Sequence, residues 1–239
     1  MIGIGTIINT LAVLIGGILG LVIKDALKKR YQDILMSALG LATMFIGAGG
    51  AMAEMLSITD SGLETQGTML LIFSLVIGSL IGEFIDIEEK LERLGIWLKE
   101  KVKAKNNEHF VEGFVSTSLV VCVGAMAIVG SLQDGLTGDY STLVAKAILD
   151  FVIVMVFAST MGLGCAFACI PIFVYQGAIT LFATFLKPIM TATLISYLSF
   201  IGSVLIFAVG VNLCFGNRIK VGNMLPALLI PFIYVLIGI

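Results

Sequence analysis

The feature that most constrains this chain is a succession of uninterrupted apolar runs, each close to the length that a helix needs to cross a lipid bilayer. A helix rises about 1.5 Å per residue, so a hydrocarbon core about 30 Å thick takes about 20 residues, within a range of about 17–25. Between the charged clusters the runs are 2–23, 34–55, 68–87, 113–132, 141–161, 166–186, 192–215 and 224–239. The last is short, a mismatch that tilt or local thinning of the bilayer absorbs. Barrel strands alternate apolar and polar residues, and these runs do not. The predicted fold is therefore all-α: a polytopic transmembrane helix bundle of about eight spans arranged as helical hairpins. It reads as a single integral membrane domain over 1–239, with four spans in 1–132 and four in 133–239.

Composition supports the same reading. Of 239 residues, 59% are hydrophobic and 13% charged, too few charges to clothe a water-soluble surface. The lipid bilayer is thus the first partner implied. A net charge of −2 offers no footprint for nucleic acid. The first run starts at residue 2 with no basic stretch before it and no small-residue cleavage site, so it reads as a mature span. Of the four cysteines, Cys165 and Cys169 stand four apart, which is neither a zinc spacing nor a redox pair; all four read as small packing residues. There is no HExxH, no GxSxG and no histidine beyond His109, so the chain is not expected to be an enzyme and implies no cofactor.

Orientation follows from the basic residues in the connections. Lys24, Lys28, Lys29 and Arg30 follow the first run, and Lys90, Arg93, Lys99, Lys101, Lys103 and Lys105 the third. Arg218 and Lys220 follow the seventh, so twelve of the fourteen basic residues fall on one side. Glu54, Asp60, Glu64, Asp134 and Asp139 fall on the other, with only Lys187 and Lys146 toward that face. The basic loops should be cytoplasmic and both termini outside. After the third run, Ile87, Leu91, Leu94, Trp97 and Leu98 make one apolar face within the segment 87–110. The facing charges predict an amphipathic helix in the cytoplasmic interface.

Small residues recur at four-residue spacing, as Gly16 and Gly20, Gly78 and Gly82, and Ala158 and Gly162, which lets helices approach closely in lipid. Residues 15–24 resemble 77–86, 45–50 resemble 122–127, and Ile170-Pro171 parallels Ile230-Pro231, a pattern of internal repetition.

Polar groups inside the runs are the candidate functional residues. Asp150 falls near the middle of the fifth run, where a carboxylate costs about 2.5–3.5 kcal/mol on insertion scales. Lys146, one turn earlier on the same face, can neutralise it; the pair reads either as a staple between helices or as an ion or proton site. Gln176 lies near Pro171 and Gly177, where a proline-broken helix would free a carbonyl to bind a cation. Asn9, with Thr10 beside it, and Asn212 are further polar groups at depth. Gly-rich residues 130–139 form a predicted outer turn whose Gln133, Asp134 and Asp139 could collect a hydrated cation or simply be solvated. Neither pattern specifies a metal.

The run 124–139, with Ala145 to Asp150 and Tyr175-Gln176-Gly177, resembles the YdfK/YqgA-type family of bacterial membrane proteins. The resemblance extends over nearly the whole chain. It implies a bacterial inner-membrane location and, the family's function being unknown, no substrate. It singles out Gln133, Asp134, Asp139, Lys146, Asp150 and Gln176 as positions matching family motifs. Phe151 departs from that pattern, which has Gly after the aspartate.

The leading functional expectation is a small transporter or channel for a small ion or solute, acting as a homo-oligomer. Asp150 with Lys146 would form a coupling or gating pair, and Gln176 would supply ligands. The alternative is a membrane sensor or assembly protein that docks partners through the basic segment 90–105. A pathway should leave Asp150 facing water, and a scaffold should seal it in a dry ion pair.

Overall fold

A computed structural model describes residues 2–26, 28–59, 62–104, 108–122, 125–216 and 218–237. Asp60 and Lys105, named above, lie outside the described residues, as do residues 124 and 239 that bound two of the runs. In chain order the elements are α1 (Ile4–Ala26), α2 (Lys29–Met55), β1 (Leu56–Thr59), β2 (Gly62–Thr65), α3 (Thr68–Ile85), α4 (Ile87–Lys101), α5 (Phe110–Cys122), α6 (Ala125–Thr137) and α7 (Ser141–Met161). A 3-10 stretch, Leu163–Ala168, leads into α8 (Cys169–Leu181), followed by the short α9 (Ala183–Leu186) and by α10 (Ala192–Phe215). The chain closes with α11 (Val221–Met224), a second 3-10 stretch, Leu225–Leu229, and α12 (Ile230–Ile237).

The fold is an all-α polytopic membrane bundle. Six helices among the described residues are long and apolar enough to cross a membrane: α1, α2, α3, α7, α8 with its 3-10 lead-in, and α10. Helices α5 and α6 meet at a bend of 62° and make a seventh span if counted together. The stretch Val221–Val235 is apolar but shorter, so the eight predicted runs become six long helical spans, one bent pair and one short broken segment. The β1–β2 hairpin, pairing Leu56 with Thr65 and Ser57 with Glu64, was not expected. Its alternating LSIT and GLET sequences sit between two spans, where water satisfies the edges of so short a ladder.

The chain divides into two compact units, interleaved in sequence: Met1–Leu39 with Leu91–Ile189, and Gly40–Lys90 with Met190–Ile239. In the first, α1 and α7 run parallel, with Gly5 beside Leu143, Gly16 beside Phe151 and Gly20 beside Met155. A Cβ on Gly16 would fall 2.6 Å from the Phe151 carbonyl oxygen, and one on Gly20 only 2.3 Å from that of Met155. Because lipid tails give apolar side chains no reason to leave them, such backbone proximity is what holds helices together in a membrane. Gly17 of α1 rests in the same way on Ala166 of the 3-10 stretch.

In the second unit, α3 lies against the broken segment 221–229. A Cβ on Gly78 would fall 2.3 Å from the Ala227 nitrogen, and one on Gly82 would fall 1.8 Å from the Asn223 oxygen. The repeated sequence 15–24 and 77–86 therefore makes the same kind of contact in each unit: a glycine-bearing helix on an alanine of a 3-10 stretch that leads into an Ile-Pro helix. Leu70, Phe200, Ile201 and Ala227 form the buried centre of this unit. At one end of it, Glu83 accepts hydrogen bonds from Lys220 Nζ and Asn223 Nδ2, both at 2.6 Å.

The amphipathic segment forms α4 as its sequence predicts. Gly95 and Leu98 are buried, Leu98 against Phe110 and Phe114 of α5, whereas Leu94 and Trp97 remain exposed. An apolar edge left open beside a charged face is the arrangement of a helix in the lipid–water interface.

Candidate functional site

The polar residues of the first unit converge on Asp150. This carboxylate is 3% exposed at the middle of α7, and Lys146, one turn earlier, is 6% exposed. Lys146 Nζ donates to Asp150 Oδ2 at 2.5 Å and to the Val121 carbonyl at 2.8 Å. Val121 lies in the last turn of α5, where carbonyls have no amide of their own helix to accept from. The ammonium thus satisfies an orphaned acceptor at the negative end of a helix as well as a carboxylate. From α1, Asn9 Nδ2 donates to the same Asp150 oxygen at 3.0 Å. One charge pair therefore ties together α1, α5 and α7. Its charges cancel, which is how both survive where solvation is poor.

Helix α8 carries a group that the protein leaves unsatisfied. Gln176 of α8 is fully buried, and neither its Oε1 nor its Nε2 has a hydrogen-bond partner in the described structure. Asn9 Oδ1 and Ser131 Oγ are buried and unpartnered too. Helices α1 and α8 run antiparallel, with Gly17 beside Ala166 and the Thr6 and Thr180 hydroxyls 3.4 Å apart. That register puts Asn9 and Gln176, each about one turn inward of its threonine, at one level. Thr180 Oγ1 donates to the Ser131 carbonyl at 3.2 Å, which brings α6 to the same place. Thr6, Ser131 and Thr180 were not singled out from the sequence. Their only signal was a hydroxyl within an apolar run.

Other predicted site residues lie elsewhere. Residues 130–139 are not an open turn, because α6 continues to Thr137. Asp134 is fully buried, and its two oxygens accept from Gly3 N at 3.1 Å and Gly5 N at 3.0 Å. It closes the N-terminus of α1, where free amides and the helix dipole both favour a carboxylate. Gln133 Oε1 accepts from Thr142 Oγ1 at 2.7 Å. Asp139 Oδ1 accepts from Ser141 N at 3.0 Å, and this bond holds its carboxyl below the ordinary aspartate value. All three are occupied with the start of a helix or the joint between two.

Asn212 belongs to the second unit. It caps the end of α10, donating to the Ile219 carbonyl at 2.7 Å and accepting from Ile219 N at 2.9 Å. The helix break lies at Gly162 (φ 87°) and the 3-10 stretch after it, not at Pro171. Pro171 sits in the first turn of α8, where a missing N–H costs nothing, so it frees no carbonyl beside Gln176. A Cβ on Gly177 would meet nothing within 4 Å. Among the described residues no three His, Cys, Asp or Glu side chains gather as a metal site would require.

A polytopic bundle of long apolar helices, with a neutralised ion pair and the unpartnered Gln176 amide in its interior, defines an integral membrane protein. Residues 4–236 match the model of a family described as protein of unknown function (DUF554), and the chain belongs to that family. It is 34% identical over 227 residues to the uncharacterized membrane protein YdfK of Bacillus subtilis (strain 168), covering 95% of this chain and 93% of that one. It is 30% identical over 234 residues to the uncharacterized protein YqgA of Escherichia coli (strain K12), covering 95% and 94%. No solved structure matches.

Proposed function

We propose that this membrane protein is a small transporter or channel for a small ion or solute, with the Asp150–Lys146 pair and Gln176 at its binding centre. The observation that carries the proposal is the Gln176 amide, fully buried with neither polar atom partnered. An unsatisfied buried polar group costs about 1–3 kcal/mol, and Gln176 carries two such atoms. Leucine or methionine would fill the same space without that cost. An amide retained at such a place is suited to a ligand that arrives and leaves. The charge pair, bonded to Asn9 at the level of Gln176, can respond to that ligand. A cation or proton reaching Asp150 would compete with Lys146, whose second acceptor, the Val121 carbonyl, keeps the ammonium from being stranded.

The same reading takes the membrane to be a bacterial cytoplasmic one, with both termini outside and copies of the chain assembling together. The twelve basic residues on one side support the orientation.

One observation favours the competing reading, a sensor or assembly protein docking through residues 90–105. Asp150 is sealed in its pair and does not face water, as expected of a structural staple. Flux into liposomes separates the two. Purified protein should pass at least one member of a panel of cations, protons, anions and small neutral solutes, and Asp150→Asn and Gln176→Leu should each abolish that flux while remaining folded. Flux undiminished in both variants would remove these residues from the pathway, and none for any solute in the wild type would leave the assembly role standing.

A further inference from the structure

The second unit contains a cavity of about 350 Å³ at the end of the unit opposite the Glu83–Lys220 pair. The last turn of α2, the N-cap of α3 and the first turns of α10 line it, and it is partly open to the outside. Among the described lining residues Glu54 is the only carboxylate, and none is Lys or Arg. Ser196 Oγ donates to Glu54 Oε2, which fixes the direction of the carboxylate. Gln66 Nε2 donates to the Glu54 main-chain carbonyl at 3.2 Å, so its amide is held at the rim. Tyr197 and Phe200 also line it, at helical spacing from Thr193 and Ser196 on the same face of α10, with Phe200 almost wholly buried. Tyr197 is braced by Tyr234, whose ring stands edge-on at 5.8 Å, and Gly67 leaves room for the Phe200 ring, which would lie 3.2 Å from a Cβ at that position.

We propose that this cavity binds a small organic ammonium ion. The sign follows from Glu54, a negative charge at the end of an apolar bundle with no side-chain cation beside it in the cavity. The size follows from the volume, which falls in the about 300–1,000 Å³ range of organic-ligand pockets and is too large for a bare monatomic ion. The organic character follows from the half-buried Tyr197 ring in the lining, because aromatic rings attract ammonium and alkylammonium groups through their quadrupoles as well as burying their carbon. Thr193 and Ser196 hydroxyls and the Gln66 amide then orient whatever polar tail the ion carries. The site shares no residue with the Asp150 centre, so either proposal can fail without the other.

Calorimetric titration of the purified full chain in detergent tests the proposal with three probes: choline, ethanolammonium, and 3,3-dimethylbutan-1-ol, which has the shape of choline without its charge. At least one of the two cations should bind saturably and the neutral alcohol should not. Glu54→Gln should weaken cation binding by about tenfold or more, the loss expected for one charge-assisted contact. Thr193→Leu, at an exposed position in the first turn of α10, should abolish it by filling the cavity, and it decides the matter if Glu54→Gln does not fold. Equal binding of the neutral alcohol, unchanged affinity in a folded Glu54→Gln, undisturbed binding in Thr193→Leu, or no saturable binding of either cation would overturn the assignment.

Discussion

Asn9 and Asp150 stand 141 positions apart in the chain, and the Asn9 amide donates to the Asp150 carboxylate at 3.0 Å. The contact joins α1 to α7 at a point where both helices are buried. It places a neutral donor on the one oxygen that Lys146 also uses. Asp150 is thus held from two helices, and its partner Lys146 is held from a third through Val121.

That arrangement predicts a non-additive mutant cycle. Asp150→Leu alone strands a buried ammonium and should destabilise the protein by about 3–5 kcal/mol, with Lys146→Leu costing about as much. The double substitution removes desolvation together with attraction and should cost clearly less than the sum of the two, what remains being the Asn9 amide and the Val121 carbonyl left without partners. Thermal unfolding of the four proteins in one detergent checks this; additive losses would mean that the two charges do not act as a pair.

Asp134 predicts a different failure. Asp134→Ala leaves two amides at the start of α1 without their acceptor and should cost about 2 kcal/mol, whereas Asp134→Asn, keeping one acceptor oxygen, should lose about half as much. Hydrogen exchange should accelerate at Gly3 and Gly5 in the alanine variant and leave the start of α10 unchanged. Faster exchange throughout the protein would assign Asp134 to the core and not to the cap.

Topology follows from the directions of the helices within each unit. α1 and α7 are parallel, and the segment 221–229 runs antiparallel to α3. If the bent α5–α6 pair crosses once and 221–235 crosses once, the number of crossings is even and both termini should read from one side. A reporter after Ile239 should read as outside, and one inserted near Lys103 as cytoplasmic. A cytoplasmic C-terminus would show that the short final segment does not cross.

The membrane fold was legible because lipid imposes one demand on every span, a length of apolar helix, and that demand is written locally. The Lys146–Asp150 pair was legible for a related reason: four residues on a helix is one turn, so spacing alone brings the two together. What spacing cannot show is a partner on another helix. Asn9 and Gln176 were visible as polar groups at depth, but whether each had a partner depended on α1, α6 and α8 meeting at one level. Asp134 looked like part of a hydrated turn because its partners, the amides of Gly3 and Gly5, lie about 130 positions away. Pro171 was misplaced as a break because a proline is harmless in the first turn of a helix, and the first turn of α8 begins only after the 3-10 stretch.

The glycine seam between α1 and α7 also has a consequence for biosynthesis. Helix α1 leaves the ribosome well before α7, against which it packs and which follows more than a hundred residues later; at about 5–20 residues per second that interval is on the order of ten seconds. Throughout it, α1 sits in the bilayer with its glycine face open and Asn9 without the carboxylate it will bind. The nascent chain therefore has a vulnerable period whose length is set by the order of helices in the gene, and its close ends only when α7 arrives.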